Sequence, residues 1–180
     1  PAAVAVRNLM LAQQFVHDHV MHFYHLHALD WVNARHALAA GPADAADLQA
    51  RLSPWPNRSA DHFAAVQARL RDILDSDRPS VFAAVAWDHP GYRLPAAADL
   101  LAMAHYFEAL DWQAGATLIH TLFGGRNPHP NLVVGGVPLP SDLSSDAALD
   151  RRRLDLVRGN LTHLAAFVEQ VYWPDVLTIL

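Results

Sequence analysis

Residues 7–33, RNLMLAQQFVHDHVMHFYHLHALDWVN, mix apolar and polar side chains with no glycine or proline to interrupt them. At about 100° per residue, Asp18, His22, His25 and Leu29 share one face, while Val16, Val20, Phe23 and His27 share another. Polar and apolar groups therefore occur all round, and no side suits open water or a simple core. The pattern predicts one long helix over residues 4–38, stopped by Gly41-Pro42 and enclosed by other structure, with each imidazole given a partner.

Downstream, residues 41–58 read as a connector with Pro42, Pro54 and Pro56, holding a short helix near 45–52. Ser59 is placed to cap a second helix whose Phe63, Val66, Leu70 and Ile73 recur at spacings of three and four. Residues 75–80 read as a turn, 81–87 as a short apolar run, and 88–95, DHPGYRLP, as a loop. A third helix is predicted over 97–122, with Leu100, Ala104, Phe107, Leu110 and Leu118 inward. It ends at Gly124-Gly125, where a left-handed residue is easy for glycine. The β-branched run near 131–137 is a candidate strand and 138–146 a linker. The last helix, 147–172, carries Leu154, Val157, Leu161, Leu164, Val168 and Val171 as a packing seam and closes at Pro174. The fold class is thus mainly α, long buried helices with a small β element near 131–137.

Composition narrows the chemistry. At 180 residues the chain has the length of one domain. Only 17% of its residues are charged, below the ordinary quarter or so, which suits a chain that gives much of its surface to partners. A net charge of −5 offers nothing to nucleic acid. No run of apolar residues is long enough for a transmembrane helix, and the first residues lack a secretory pattern. Cysteine is absent, which removes disulfides, thiolate nucleophiles, iron–sulfur ligation and cysteine-held zinc from what this chain does alone. The missing initiator Met and the immediate start in a helix suggest a piece of a longer polypeptide.

Two constellations carry candidate chemistry. Asp18, His22 and His25 share a stripe with the carboxylate/His spacing of metal centres in helical bundles. No second helix offers a matching Glu-x-x-His, so hydrogen-bonded imidazoles are the competing reading. Asp18 itself needs a partner, and its own stripe supplies only histidine. An outside partner is expected. The second constellation is GGRNPHPN, residues 124–131. Each proline pushes its predecessor, Asn127 or His129, toward extended backbone, which stiffens the loop and aims Arg126, Asn127 and His129 outward. Such a loop suits contact with a partner or cofactor, or serves as a rigid turn.

Together these stretches carry a family resemblance. RNLMLAQQFVHDHVMHFYHLHALDWVN and HTLFGGRNPHPNLVVGGVP resemble two signature stretches of the large, catalytic subunit of [NiFe] hydrogenases. DHPGYRLP, AHYFEALDWQ and FVEQVYWPD resemble its intervening segments, with a divergent patch over 41–77, and the likeness is greatest to the membrane-bound uptake type. The resemblance implies a hydrogenase large-subunit-like fold and a heterodimer that splits H2 into protons and electrons at a nickel–iron centre. The electrons pass to iron–sulfur clusters in a small partner subunit, through which the complex sits at the cell membrane on its periplasmic or outer face. In the family, four cysteines in two Cys-x-x-Cys motifs hold the metals. Neither motif is here, so residues 1–180 are expected to be a single internal segment that alone binds no metal and is inactive.

The same resemblance implies site roles. Asp18 matches a carboxylate beside the metal centre that pairs with an arginine from elsewhere in the subunit and ligates no metal. His129 matches a histidine facing the small-subunit iron–sulfur cluster nearest the metals, with Arg126 beside it where lysine is more usual. Leu139 stands where cysteine often follows GGVP, and 84–88 departs from the Gly/Trp/Gly-rich pattern before His-Pro. Two other classes compete: a His-rich helical metal-binding module, and a scaffold relative that lost the metal site.

Overall fold

The histidine-rich run starts as an ordinary helix, α1 (Ala2–Met21), and then leaves that geometry. His22–His27 form a π-helical turn, Ala28–Asp30 a 3-10 turn and His36–Ala39 another, so the single helix predicted over 4–38 is corrected to a short-lived α-helix followed by wide and tight turns. The cause lies in burial. Val20, Tyr24, Ala28 and Val32 are all almost wholly buried, a spacing of four that a regular 3.6-residue helix would drift away from.

The computed structural model describes residues 2–76, 81–82, 90–132 and 150–179. These residues are mainly helical. Beyond α1 they form α2 (Pro42–Leu52), α3 (Ala60–Leu74), α4 (Ala96–Ala116), α5 (Leu118–Gly124), α6 (Arg151–Phe167) and, after a π-helical turn at Val168–Tyr172, α7 (Trp173–Ile179). Pro42 opens α2 at a position where its missing N–H costs nothing. Ser59 caps α3 by accepting the His62 N–H at 3.1 Å. The whole of the expected 45–52 helix, begun three residues earlier, and the Ser59-capped helix are therefore present.

Two helix expectations need correction. The helix predicted over 97–122 is divided at Thr117, whose hydroxyl donates back to Ala114 O at 2.9 Å, a bond that bends helices. Pro174 does not close the last helix. It sits in the first turn of α7, and the wide turn before it, in which the Trp173 N–H reaches Val168 O, carries the chain past the ring. The β element near 131–137 falls mostly outside the described residues, as do the linker 138–146, residues 84–88 apart from their neighbours, Leu139 and the start of the last helix at 147–149. Asn131 and Leu132, which are described, form no strand.

The chain divides into two compact units, Pro1–Val20 with Asp111–Ala166, and Met21–Leu110 with Phe167–Leu180. In the first, Val6, Met10, Ile119, Phe123 and Val157 make the core, with Leu9, Leu122 and Leu161 against it. Of the seam predicted on α6, Val157 and Leu164 are buried, whereas Leu154 is 46% exposed. In the second unit Phe63, Val66, Leu70, Leu100, Ala104 and Phe107 are buried as predicted. Aromatic rings join them: Phe167 meets both Tyr24 and Trp55, and Phe82 meets Tyr106 and Phe107.

Candidate functional site

In the first unit, α1 turns Val6, Met10, Gln13 and Val20 inward. Its other side leaves Val4, Leu11, Phe15 and Val16 exposed, Phe15 by 63%. Asp18 lies on this outer side with its carboxyl 58% exposed. It accepts the Gln14 side-chain amide, and His17 Nδ1 stands 3.4 Å away. The expectation that its own stripe supplies Asp18 only histidine is corrected: Gln14, one turn earlier, reaches it. A carboxylate set in an exposed apolar stripe is an unusual surface, and it is the first part of the site.

Of the other four imidazoles of the run, three make hydrogen-bond contacts and His22 meets the ring of His27. His19 Nδ1 contacts Phe15 O at 2.7 Å, and His27 Nδ1 contacts Asp30 Oδ2 at 2.9 Å. His25 lies between Met21 Sδ and Tyr106 O, and the rings of His22 and His27 stand 4.5 Å apart. The regular stripe of Asp18, His22 and His25 assumed one continuous α-helix, which the π-helical turn replaces. Among the described residues no three His, Asp or Glu side chains converge in a way that could hold a metal ion. The chain has no cysteine. Its residues therefore do not fit as the ligand set of a soft, thiolate-held metal centre.

The loop 124–131 is the second part. Gly125 takes φ 77° and its N–H returns to Thr121 O, the left-handed helix end expected there. A side chain on Gly124 would collide with Pro130 and come within 3.0 Å of Met10 Cε, so glycine is required for the close return of the loop. The Asn131 N–H donates to Gly124 O at 2.9 Å. Arg126 Nε donates to His129 O at 2.6 Å, and Arg126, Asn127 and His129 are exposed. His129 is not extended as its position before proline predicts. It takes φ 61°, a left-handed backbone costing about 1–3 kcal/mol that the Arg126 and Asn131 bonds hold in place. The loop is rigid for a different reason from the one the prolines suggested.

The buried polar groups of the second unit were not singled out from the sequence. His105 on α4 contacts Asp175 Oδ2 through Nδ1 at 2.7 Å and Gln49 Oε1 through Nε2 at 2.7 Å. The Tyr24 hydroxyl donates to the same Asp175 oxygen at 2.7 Å. Gln49 passes its amide N–H to Ser53 Oγ and turns its oxygen toward His105 Nε2, while Nδ1 faces the Asp175 carboxylate, an arrangement that favours the charged ring. Burial alone would pull the imidazole down, but the Asp175 carboxylate and the more distant Glu108 carry it above the ordinary histidine value. Burial, then Asp175, drives the Tyr24 hydroxyl well above the usual tyrosine range. Glu108 would be raised by burial, yet His62, His105, and the Trp55 and Asn57 donors hold it below the ordinary value; Trp55 Nε1 donates at 2.6 Å, while His62 Nε2 lies 3.3 Å away without hydrogen-bond alignment. His105 and Asp175 lie in AHYFEALDWQ and FVEQVYWPD among other polar residues, so nothing local in the sequence marks them as partners.

This network sets a pH dependence. A raised folded-state value for His105 gives stabilisation that is complete below the unfolded histidine value of about 6.5 and is lost as pH rises through the folded value. Glu108, held low, acts at the other end: its contribution is present above the ordinary glutamate value and fades on acidification through the lowered one. Urea unfolding followed across the neutral-to-alkaline range is expected to show falling stability. The His105→Gln variant should lack that slope, and an equal slope in both proteins would assign it to another group.

Among the described residues the candidate features are thus an exposed carboxylate in an apolar stripe, an Arg/His loop fixed by its own hydrogen bonds, and a separate buried network around His105 and Asp175. The family follows from comparison with known proteins. The chain belongs to the nickel-dependent hydrogenase family, whose sequence model matches residues 1–180. It is 44% identical to the uptake hydrogenase large subunit of Rhizobium leguminosarum bv. viciae and 44% identical to that of Rhodobacter capsulatus, each match covering 98% of this chain. It is 41% identical to the hydrogenase-1 large chain of Escherichia coli (strain K12), over 97% of its length. The chain spans about 30% of the length of each of these relatives.

Proposed function

We propose that this chain forms part of the catalytic subunit of a nickel–iron hydrogenase, which oxidises H2 reversibly to protons and electrons and passes the electrons to a small iron–sulfur subunit. The observation that carries this reading is Asp18, a carboxylate held by Gln14 in the exposed apolar stripe of α1, within the stretch that resembles the family's first signature. In the assembled enzyme that stripe is covered, and Asp18 faces an arginine beside the metal centre. There its charge orients the cation and tunes proton movement electrostatically. The metals rest on cysteines outside residues 1–180, so this segment alone is inactive.

The loop 124–131 presents His129, with Arg126 beside it, to the partner's iron–sulfur cluster nearest the metals. Support comes from its exposure, its resemblance to the family's second signature and the bonds that fix its shape. No described helix is long and apolar enough to cross a membrane. Association with the cell membrane, at its periplasmic or outer face, is therefore assigned to the small subunit.

Purifying the intact protein with its partner and measuring nickel, iron and H2-driven dye reduction tests the reading. Stoichiometric nickel with H2 uptake is expected; a folded complex with neither would leave a scaffold relative. His129→Ala is expected to shift the potential or the spectrum of the nearest cluster while the complex still assembles. An unchanged cluster would remove His129 from that role.

A further inference from the structure

His120 on α5 is one of the most buried polar side chains in the protein, 4% exposed, and nothing in the proposed chemistry uses it. Its Nε2 lies 2.9 Å from Met10 O, a carbonyl in the middle of α1. A carbonyl only accepts, so Nε2 carries the proton. Its Nδ1 lies 2.8 Å from the Asn127 side-chain amide nitrogen, which only donates, so Nδ1 carries none. One neutral ring thus bonds a helix carbonyl with one nitrogen and a loop amide with the other. All three groups belong to the first unit.

We propose that His120, fixed as the Nε2–H tautomer, is a positioning residue that seats the loop 124–131 against α1. The loop's own bonds, Arg126 to His129 O and Asn131 N–H to Gly124 O, fix its internal shape and leave its placement on the helix to other contacts. Two contacts supply that placement. Gly124 lets Pro130 and Met10 close over the backbone, and Met10 is the residue whose carbonyl accepts the His120 hydrogen bond. Met10 also lies two turns before Asp18 on α1, so the ring ties the two signature stretches through one side chain. Leucine would fill the space and lose both bonds, whereas asparagine can place an acceptor near the Nδ1 position. What the loop presents to its partner rests on the function proposed above; the seating itself does not.

Hydrogen exchange by mass spectrometry and 15N NMR of the intact protein test this without metals or cluster. In His120→Leu, amide exchange over 124–131 should accelerate about tenfold or more, as expected when a buried hydrogen bond that holds a loop is lost, with exchange in the middle of α1 unchanged. His120→Asn should recover most of the protection, a rescue that simple filling of the core would not give. If His120→Leu fails to fold, Asn127→Ala decides, because it removes only the loop-side bond and should show the same acceleration. The His120 ring should show a protonated Nε2 and a bare Nδ1. Unchanged loop exchange in the folded variants, or a proton on Nδ1, would overturn the proposal. Failure of H2 uptake with loop exchange as expected would sink the assigned activity and leave this inference standing.

Discussion

Asp18→Asn in the intact hydrogenase is expected to lower H2 turnover by about 10²–10³-fold, the range seen when one preorganised electrostatic group is removed from an active site. Nickel content should stay near that of the parent. The asparagine side chain keeps the size of Asp18 and can still bond Gln14, so α1 loses a charge and little else. Asp18 stands more than half exposed in the described residues, and replacing an exposed carboxylate that meets the Gln14 amide and, at 3.4 Å, the His17 ring has little effect on folding. Metal analysis beside turnover decides between two roles. Loss of nickel would place Asp18 among the ligands, and full activity would remove it from the site.

Asp175→Ala is expected to be the most damaging single change to stability, about 3–5 kcal/mol, because it strips the carboxylate from the buried His105 ring, whose charged form it favours. One Asp175 oxygen accepts from both Tyr24 and His105, so its loss also leaves a buried hydroxyl without an acceptor. The groups it joins come from four places in the sequence: Tyr24, Gln49, His105 and Asp175. Replacing His105 and Asp175 together with leucine should cost less than Asp175→Ala alone, since no unpaired charge remains. Urea denaturation of the single and double variants measures the difference. A loss under about 1 kcal/mol for Asp175→Ala would show that the ring is neutral in the fold.

The legibility of this chain varied by element for physical reasons. The Ser59 cap, the α3 core positions and the left-handed Gly125 rest on local rules, the reach of one hydroxyl and the freedom of one glycine, and they were readable from a few neighbouring residues. In the histidine-rich run a period of 3.6 groups Val20 with Phe23 and His27. The buried set is Val20, Tyr24 and Ala28, a period of four imposed by long-range partners such as Asp175. The conformation of His129 was missed because a proline rule concerns two residues, while the loop answers to Arg126, Gly124 and Asn131 together. For the candidate site, the positions of Asp18, Arg126 and His129 came from their stretches of sequence. The supports, Gln14 and His120, needed coordinates, since a buried histidine and an exposed one look alike in a string of letters.

The wide turn at Val168–Tyr172 has a consequence for how this chain can diverge. Phe167, Val171 and Asp175 are all buried, one every four residues, which an ordinary helix would spread over a wide arc. Removing one residue between 168 and 172 would let the helix heal and would swing Asp175 by about 100°, out of reach of Tyr24 and His105. Residue count in this stretch therefore fixes the position of Asp175 as firmly as residue identity does. Relatives that keep the tyrosine, histidine and aspartate should tolerate exchanges of side chain there, but neither an insertion nor a deletion.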